Sequence, residues 1–271
     1  MPTVRSPHES TVAVDGLQKG VDMTRNPITE VADDVYRIER AATNCYLVVD
    51  DGITLVDAGL PRMWPLLVEA LGHIGAGPDD IDAVVLTHAH FDHVGLCDRL
   101  VHEHHTPIHV HDRDRMLARH PYTYRHERAR LTYPFRHPSS VGVLARMVAA
   151  GALGVKGVHA EGGVNPGQPL DVPGGLVPIW SPGHTAGHCG YLLPSAGVLF
   201  SGDALVTLDP YTGGRGPRIV AGAATADSAM ALERLGALSA TGAGVVLPGH
   251  GDAWRAGIES AVAEARAVGQ R

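Results

Sequence analysis

The sequence predicts a single α/β domain, and three observations support that prediction. Short apolar runs rich in β-branched residues recur along the chain, and segments with helical spacing alternate with them. Several of these runs end on His or Asp, as expected where strands hold functional side chains at one edge of a sheet. The chain has 271 residues, 44% of them hydrophobic, which is enough for one substantial core.

Four strands are predicted in the first part of the chain from β-branched content and apolar patterning. They cover residues 35–38, 44–49, 53–56 and 81–86. The Asp-Asp-Gly sequence at 50–52 lies between two of these runs and predicts a hairpin. Residues 63–74 carry apolar side chains at helical spacing and end near two glycines, so they predict the first helix.

The rest of the chain continues the same alternation around one long exception. A helix is predicted at 94–103 and a short strand at 107–110. Further strands are predicted at 175–180, 190–193, 198–200 and 245–247. Further helices are predicted at 226–238 and 252–268. Residues 112–154 lack strand patterning and predict an insertion of two or three helices with eight arginines, from Arg113 to Arg146.

Composition and charge limit the classes of protein to consider. Residues 1–27 carry Pro, Ser, Thr and charge without periodicity, which predicts a partly disordered arm before a domain at 28–271. No secretory signal or bilayer-length apolar run is recognisable, and three cysteines without a pairing motif fit a reducing cytoplasm. A net charge of −7 argues against nucleic-acid binding. We therefore expect a cytoplasmic protein with a small-molecule substrate and no nucleic-acid or membrane partner, and a homodimer is compatible with the sequence.

The densest polar cluster directly follows the strand predicted at 81–86. His88, His90, Asp92 and His93 lie within six residues and offer the nitrogen and oxygen donors that zinc binds. In an extended loop, His88 and His90 point to one side, while Asp92 and His93 reach a second point. The chain is rich in His, with 17 in all, but chance clustering does not explain four such residues in this register. The spacing therefore predicts two metals.

Three later strand ends carry matching polar residues: His184, Asp203 and His250, each preceded by glycine. In this order, with the Thr-His-x-His-x-Asp-His motif at 87–93, they resemble the metallo-β-lactamase superfamily of metal-dependent hydrolases over residues 35–265. The resemblance implies an αββα four-layer sandwich, with the site at one edge of two facing sheets. The helical insertion at 112–154 would cap the cleft, because the scaffold itself needs no helices there.

The resemblance also implies a ligand set and a chemistry. Two divalent ions are expected, zinc first, with iron and manganese as alternatives, and Asp203 would bridge them. One ion would be held by His88, His90 and His184, and the other by Asp92, His93 and His250. A hydroxide bridging the two ions would attack the substrate, with Asp92 and Asp203 as the catalytic carboxylates.

Three further residues are candidates for supporting roles. Asp57, at the end of a predicted strand, and His188 could orient ligands from behind, since a metal-binding His usually donates its second N–H to a fixed acceptor. The alternatives are a turn cap for Asp57 and a purely structural His188. Tyr211, in a Gly-rich loop after Asp203, could bind substrate by donating a hydrogen bond to a developing oxyanion.

Departures from named branches of the superfamily narrow the substrate. Asp203 argues against true β-lactamases, which use Cys or Ser near that point. Too few residues separate Asp203 from His250 for the insertion of the nuclease branch, and too few follow His250 for the glutathione-binding domain of glyoxalase II. Val206 stands where bacterial acyl-homoserine lactonases have Tyr, which weakens the case for a lactonase without excluding it. The expectation is a hydrolase of a small ester, thioester or lactone. The alternatives are a mononuclear iron enzyme like the persulfide dioxygenases, a phosphodiester or β-lactam hydrolase, and a non-catalytic scaffold.

Overall fold

The computed structural model describes residues 26–270 of the chain. The arm predicted at residues 1–27 lies outside the described residues except for its last two positions. Within residues 26–270, no helix combines the length and apolar character that crossing a membrane requires.

The first half of the domain forms a six-stranded sheet in sequential order, antiparallel from β1 to β4 and parallel from β4 to β6. Its strands are β1 Ile28–Ala32, β2 Val35–Arg40, β3 Thr43–Val49, β4 Ile53–Val56, β5 Ala83–Val85 and β6 Ile108–His109. The hairpin predicted at 50–52 is confirmed, because Asp51 and Gly52 both have positive φ and join antiparallel β3 and β4.

The second half forms a four-stranded sheet in the order β12-β9-β8-β7, with β12 parallel to β9. Its strands are β7 Val177–Trp180, β8 Cys189–Leu193, β9 Val198–Gly202 and β12 Val245–Pro248. Between β9 and β12 the chain makes a two-stranded ribbon of β10 Val206–Leu208 and β11 Arg215–Arg218.

Alternation along the strands gives each sheet two apolar faces, and these build a four-layer sandwich. Tyr46 and Val48 on β3 pack with Tyr191 and Phe200 of the second sheet, and the rings of Tyr46 and Phe200 lie 5.3 Å apart. The opposite face of the first sheet packs on α1 and α2, and that of the second sheet packs on α6 and α7. The helices are α1 Trp64–His73, α2 Cys97–His104, α3 Arg115–Arg119, α4 Tyr133–Arg136, α5 Pro138–Ala149, α6 Ser228–Ser239 and α7 Ile258–Val268. The predicted αββα order is confirmed.

Some local predictions were wrong at element boundaries. The helix predicted from residue 252 begins at Ile258, because Trp254 first pairs with Val246 in an antiparallel bridge. The helix predicted from residue 94 begins at Cys97, since Gly95 and Leu96 donate backbone hydrogen bonds to the loop after β4. Strands β1, β10 and β11 were not predicted. The segment 112–154 contains the three short helices α3, α4 and α5.

Candidate metal centre

The motif after β5 is held in place by one buried carboxylate, that of Asp57. This residue ends β4 in the left-handed region, with φ +58°, so that its side chain turns toward the motif. Its oxygens accept hydrogen bonds from the Thr87 amide at 2.8 Å and the Thr87 hydroxyl at 2.8 Å, and one lies 2.9 Å from His93 Nδ1. With its hydrogen donated to Asp57, the Thr87 hydroxyl faces His88 Nδ1 as an acceptor, at 3.1 Å. Both imidazoles are thereby oriented with Nε2 free to bind a metal.

The end of β12 supplies a second anchored imidazole. His250 is buried, and its Nδ1 lies 2.7 Å from the carbonyl oxygen of Ala42, which again leaves Nε2 facing the site. Gly249 lets the chain approach closely. A Cβ there would lie 2.2 Å from Asp203 Oδ1 and 2.8 Å from the His93 ring, so any larger residue would displace candidate ligands.

His184 enters the site from the loop after β7. Its Nδ1 lies 3.2 Å from the hydroxyl of Thr225, which donates its own hydrogen to the carbonyl of Val220 and is therefore an acceptor for the ring. His184 Nε2 lies 3.0 Å from His90 Nδ1. The two nitrogens thus face one point, as two ligands of one cation would.

Seven side chains converge as overlapping groups of three. Within each of these groups the donor atoms lie within 4.8 Å of one another. We call His88, His90 and His184 the histidine triplet, and Asp92, His93 and His250 the mixed triplet. A third group of His88, His93 and Asp203 connects the two.

Asp203 lies between the two triplets and faces both. Its Oδ2 is 3.5 Å from His184 Nε2 and 3.2 Å from His250 Nε2, and its Oδ1 is 3.6 Å from His93 Nε2. Asp92 Oδ2 completes the mixed triplet, 3.4 Å from His250 Nε2. The family resemblance implied that Asp203 is the shared carboxylate, and the structure brings it together with both sets of imidazoles.

Several buried polar atoms of this cluster are unpaired among the described residues. His88 Nε2, His93 Nε2 and Asp203 Oδ1 are buried and have no hydrogen-bond partner among the described residues. Leaving polar atoms unpaired in a buried site is costly, and several in one cluster need a common explanation. Imidazole nitrogens and carboxylate oxygens are the donors that zinc and similar divalent ions take up in proteins. The residues present therefore fit a metal centre.

Charge separates the two triplets. Burial lowers the pKa of His184 to about 3, so this imidazole is neutral. Burial also opposes charge on His93, but the carboxylates of Asp57 and Asp203 outweigh it and raise its pKa to about 9. The pKa of His250 is likewise raised, against burial, by Asp203 and then Asp92. Burial would raise the pKa of Asp203, but His250 and His93 hold it well below its usual range.

His188 lies beside the site without facing the triplets. Burial lowers its pKa to about 3, and the neutral ring lies 2.8 Å from the Ser181 hydroxyl through Nδ1. Its Nε2 accepts hydrogen bonds from the amides of Asp203 at 3.0 Å and Ala204 at 3.1 Å. The ring therefore fixes the backbone that presents the shared carboxylate. It also stacks on the ring of His88, with 5.2 Å between the centroids.

Tyr211 meets a residue that the sequence analysis missed. Its hydroxyl lies 3.3 Å from that of Tyr124, which comes from the helical insertion. The Tyr124 ring packs on His90, with 3.9 Å between centroids. Thr225 and the Ala42 carbonyl were also missed. A lone Thr or a backbone carbonyl carries no sequence signal, whereas an aromatic residue in an insertion beside a predicted cleft could have been a candidate.

Comparison with known proteins agrees with this fold. The family model of the metallo-beta-lactamase superfamily matches residues 38–250. A metallo-beta-lactamase family protein from Thermus thermophilus superimposes with a TM-score of 0.62 and 25% identity, covering 87% of this chain and 79% of that one. A metallo-β-lactamase with a HARLDQ motif from Cronobacter sakazakii superimposes with a TM-score of 0.63 and 17% identity, covering 90% of this chain and 92% of that one. At that identity the likeness shows the fold alone.

Curated relatives extend the comparison to named proteins of Bacillus subtilis. The probable metallo-hydrolase YflN is 28% identical over 196 residues, which are 66% of this chain and 67% of that protein. The probable metallo-hydrolase YqjP is 26% identical over 214 residues, 76% of this chain and 66% of that protein. The uncharacterized protein YobT is 28% identical over 163 residues, which are 59% of this chain and 61% of that protein. The chain thus spans 61% to 67% of the length of these curated relatives.

The fold and the family match agree. The chain belongs to the metallo-beta-lactamase superfamily, as the sequence resemblance indicated.

Proposed function

We propose that this protein is a binuclear metallo-hydrolase that cleaves a small ester, thioester or lactone. One observation carries the proposal: two buried donor triplets converge on the shared carboxylate of Asp203. A mononuclear iron enzyme needs only one such group, and it would leave the mixed triplet without a purpose. Zinc is the first candidate, because imidazole and carboxylate donors suit it.

The triplets would hold the two metals, with Asp203 between them. Divalent ions bound there would lower the pKa of water and polarise a carbonyl oxygen of the substrate. Asp92 is suited to take the proton of the attacking water and return it to the leaving group. Although burial would raise its pKa, His250 holds it below its usual value, so the carboxylate is ionised and able to accept.

The paired tyrosines are suited to stabilise negative charge that develops on the substrate. Tyr124 and Tyr211 share one hydrogen bond between two hydroxyls, so one of their two O–H groups is left to donate elsewhere. Burial raises the pKa of both phenols, which keeps them protonated at neutral pH. Such a donor near the metals would bind the oxyanion of the tetrahedral intermediate.

Metal analysis and a substrate panel test the proposal together. Purified protein should contain about two divalent ions per chain, and it should cleave ester, thioester or lactone probes with activity that a chelator removes and added metal restores. One tightly bound iron with oxygen consumption would favour the dioxygenase alternative. Preferred cleavage of phosphodiesters or β-lactams would replace the proposed substrate class. Tight binding of two metals without turnover of any probe would contradict the proposal.

A further inference from the structure

A cavity of about 300 Å³ opens beside His184, between the helical insertion and the loops that flank α6. His184 and Tyr124 line it on the side of the metal centre. Arg113 and Arg125 line it from the insertion. Small-molecule sites are concave, with few polar groups placed to orient the ligand. This cavity therefore leads from the candidate reaction centre to two guanidinium groups.

Most other arginines near this cavity already have partners within the insertion or beside it. Arg115 lies 4.0 Å from the Asp112 carboxylate, and Arg119 lies 2.7 Å from His159. Arg130 packs 3.9 Å over the Tyr124 ring and donates to the Tyr124 carbonyl. Among residues 26–270, Arg125 has no ion-pair partner.

Arg113 is partly fixed by an aromatic neighbour. Its guanidinium carbon lies 5.0 Å from the centroid of the Trp180 ring. Stacking of this kind occupies the face of the guanidinium and leaves the N–H groups at its edge free to donate. An arginine held in this way loses less conformational freedom when it binds an anion.

The two carboxylates that line the cavity bond to groups other than these arginines. Asp114 is buried and accepts hydrogen bonds from the Thr185 hydroxyl at 2.6 Å and the Gly187 amide at 2.8 Å. Asp227 caps α6 by accepting from the Met230 amide at 2.8 Å. Among residues 26–270, neither acid forms an ion pair with Arg113 or Arg125, so the N–H groups of both arginines stay available to an oxyanion.

We propose that this cavity binds an oxyanionic group of the substrate, a carboxylate or a phosphate, through Arg113 and Arg125. The inference rests on the proposed hydrolytic function and names the class of its substrate: an ester, thioester or lactone with an anionic group at the end away from the scissile bond. Guanidinium groups bind both kinds of oxyanion through paired N–H donors. Leu117 of α3 and Met230 of α6 also line the cavity and would contact the apolar chain between the two ends.

Matched esters test this specificity on the metal-loaded enzyme. The probes are para-nitrophenyl half-esters of succinate, glutarate and adipate, each compared with a methyl-terminated ester of equal length, and a phosphonate-terminated ester separates phosphate from carboxylate recognition. At least one charged ester should have the higher kcat/KM. Arg113→Gln and Arg125→Gln should each lower that value about tenfold, as expected for a lost charge-assisted hydrogen bond, and leave the neutral ester unchanged. Arg146→Gln, in the same insertion but outside the cavity, is the matched control.

Two outcomes would overturn the inference. Either no charged ester has a higher kcat/KM than its neutral counterpart, or the variants lower kcat/KM equally for charged and neutral esters. Calorimetric binding of glutarate or adipate, compared with a monocarboxylate of equal length, gives a readout that does not need turnover. The second carboxylate should tighten binding in the wild-type protein and not in the double variant. If no ester is cleaved but this difference is seen, the proposed hydrolysis fails while the anion site stands. If esters are cleaved without the difference, the hydrolysis stands and the anion site fails.

Discussion

The histidine triplet and the mixed triplet lie side by side, are equally buried, and differ in charge. The histidine triplet has no carboxylate of its own, and burial keeps the pKa of His88, like that of its partners, well below its usual value. The mixed triplet contains Asp92, and carboxylates raise the pKa of both its imidazoles. A cation entering the first triplet displaces no protons, whereas a cation entering the second must displace them. Two adjacent sites of one centre should therefore differ in how they load.

The largest expected effect comes from breaking the histidine triplet. His90→Ala removes the imidazole nitrogen that faces His184, so the variant should lose at least one metal. Its activity should fall more than about a hundredfold, which exceeds the largest effect expected from removing a residue that only supports a ligand. The circular dichroism spectrum should stay that of a folded domain. His102→Ala, on the exposed face of α2, is the matched control and should keep both metals and full activity. Retained turnover in His90→Ala would refute the ligand assignment.

Acidification should separate the two triplets. His93 has a pKa of about 9 without metal, so protons compete for it throughout the neutral range, and competition strengthens as pH falls. His184 has a pKa of about 3 and binds no competing proton until far lower pH. As the pH falls from about 9 toward about 3, the metal of the mixed triplet should therefore dissociate first.

Cobalt-substituted protein makes this order measurable, because absorption and metal content can be followed in one titration. The expected record has two steps, with about one ion per chain remaining after the first. Loss of both ions in a single step, or retention of the mixed-triplet ion alone, would remove the distinction between the triplets.

A smaller effect is expected from changing the support of the mixed triplet. Asp57→Asn keeps the shape and tolerates the left-handed backbone, but it replaces the carboxylate beside His93 Nδ1 with an amide. We expect metal affinity of the mixed triplet to fall about 10–100-fold, because outer partners of ligating histidines have effects of that size. Competition with a coloured chelator measures this. An unchanged affinity would mean that Asp57 serves only to shape the turn.

The parts of the molecule that the sequence could predict are those with local signals. Continuous apolar runs in β3 and β9 predicted strands. Residues 87–93 predicted a cluster of ligands, because neighbours in sequence are neighbours in space there. That His184 and Asp203 belong to the same site followed from resemblance to a family, since no local pattern links distant strand ends. The pairing of Arg215–Arg218 in β11 escaped prediction, because its Gly and Pro are typical of turns and the ribbon partner supplies the order.

Contacts that depend on three-dimensional proximity could not be predicted. Tyr124 lies far from His90 along the chain, and although an aromatic residue of the insertion could have been a candidate, the sequence does not show which one packs on His90. For His188, the position beside a family motif suggested support for a ligand, but it did not reveal the partners. The ring accepts from the backbone amides of Asp203 and Ala204 and stacks on the ring of His88.

The smallest effect should come from Thr225, the outer partner of the histidine triplet. Thr225→Val preserves shape in a fully buried position and removes only the hydroxyl that accepts from His184 Nδ1. A neutral hydroxyl is a weaker partner than the carboxylate of Asp57, since hydrogen bonds to ionised groups are roughly twice as strong. Affinity of the histidine triplet should therefore fall only about threefold to tenfold, at or below the lower end of the range for outer partners. Thr106→Val is the control, because that buried hydroxyl has no partner among the described residues and should leave metal binding unchanged. If Thr225→Val weakened metal binding as much as Asp57→Asn, charge would not be what separates the supports of the two triplets.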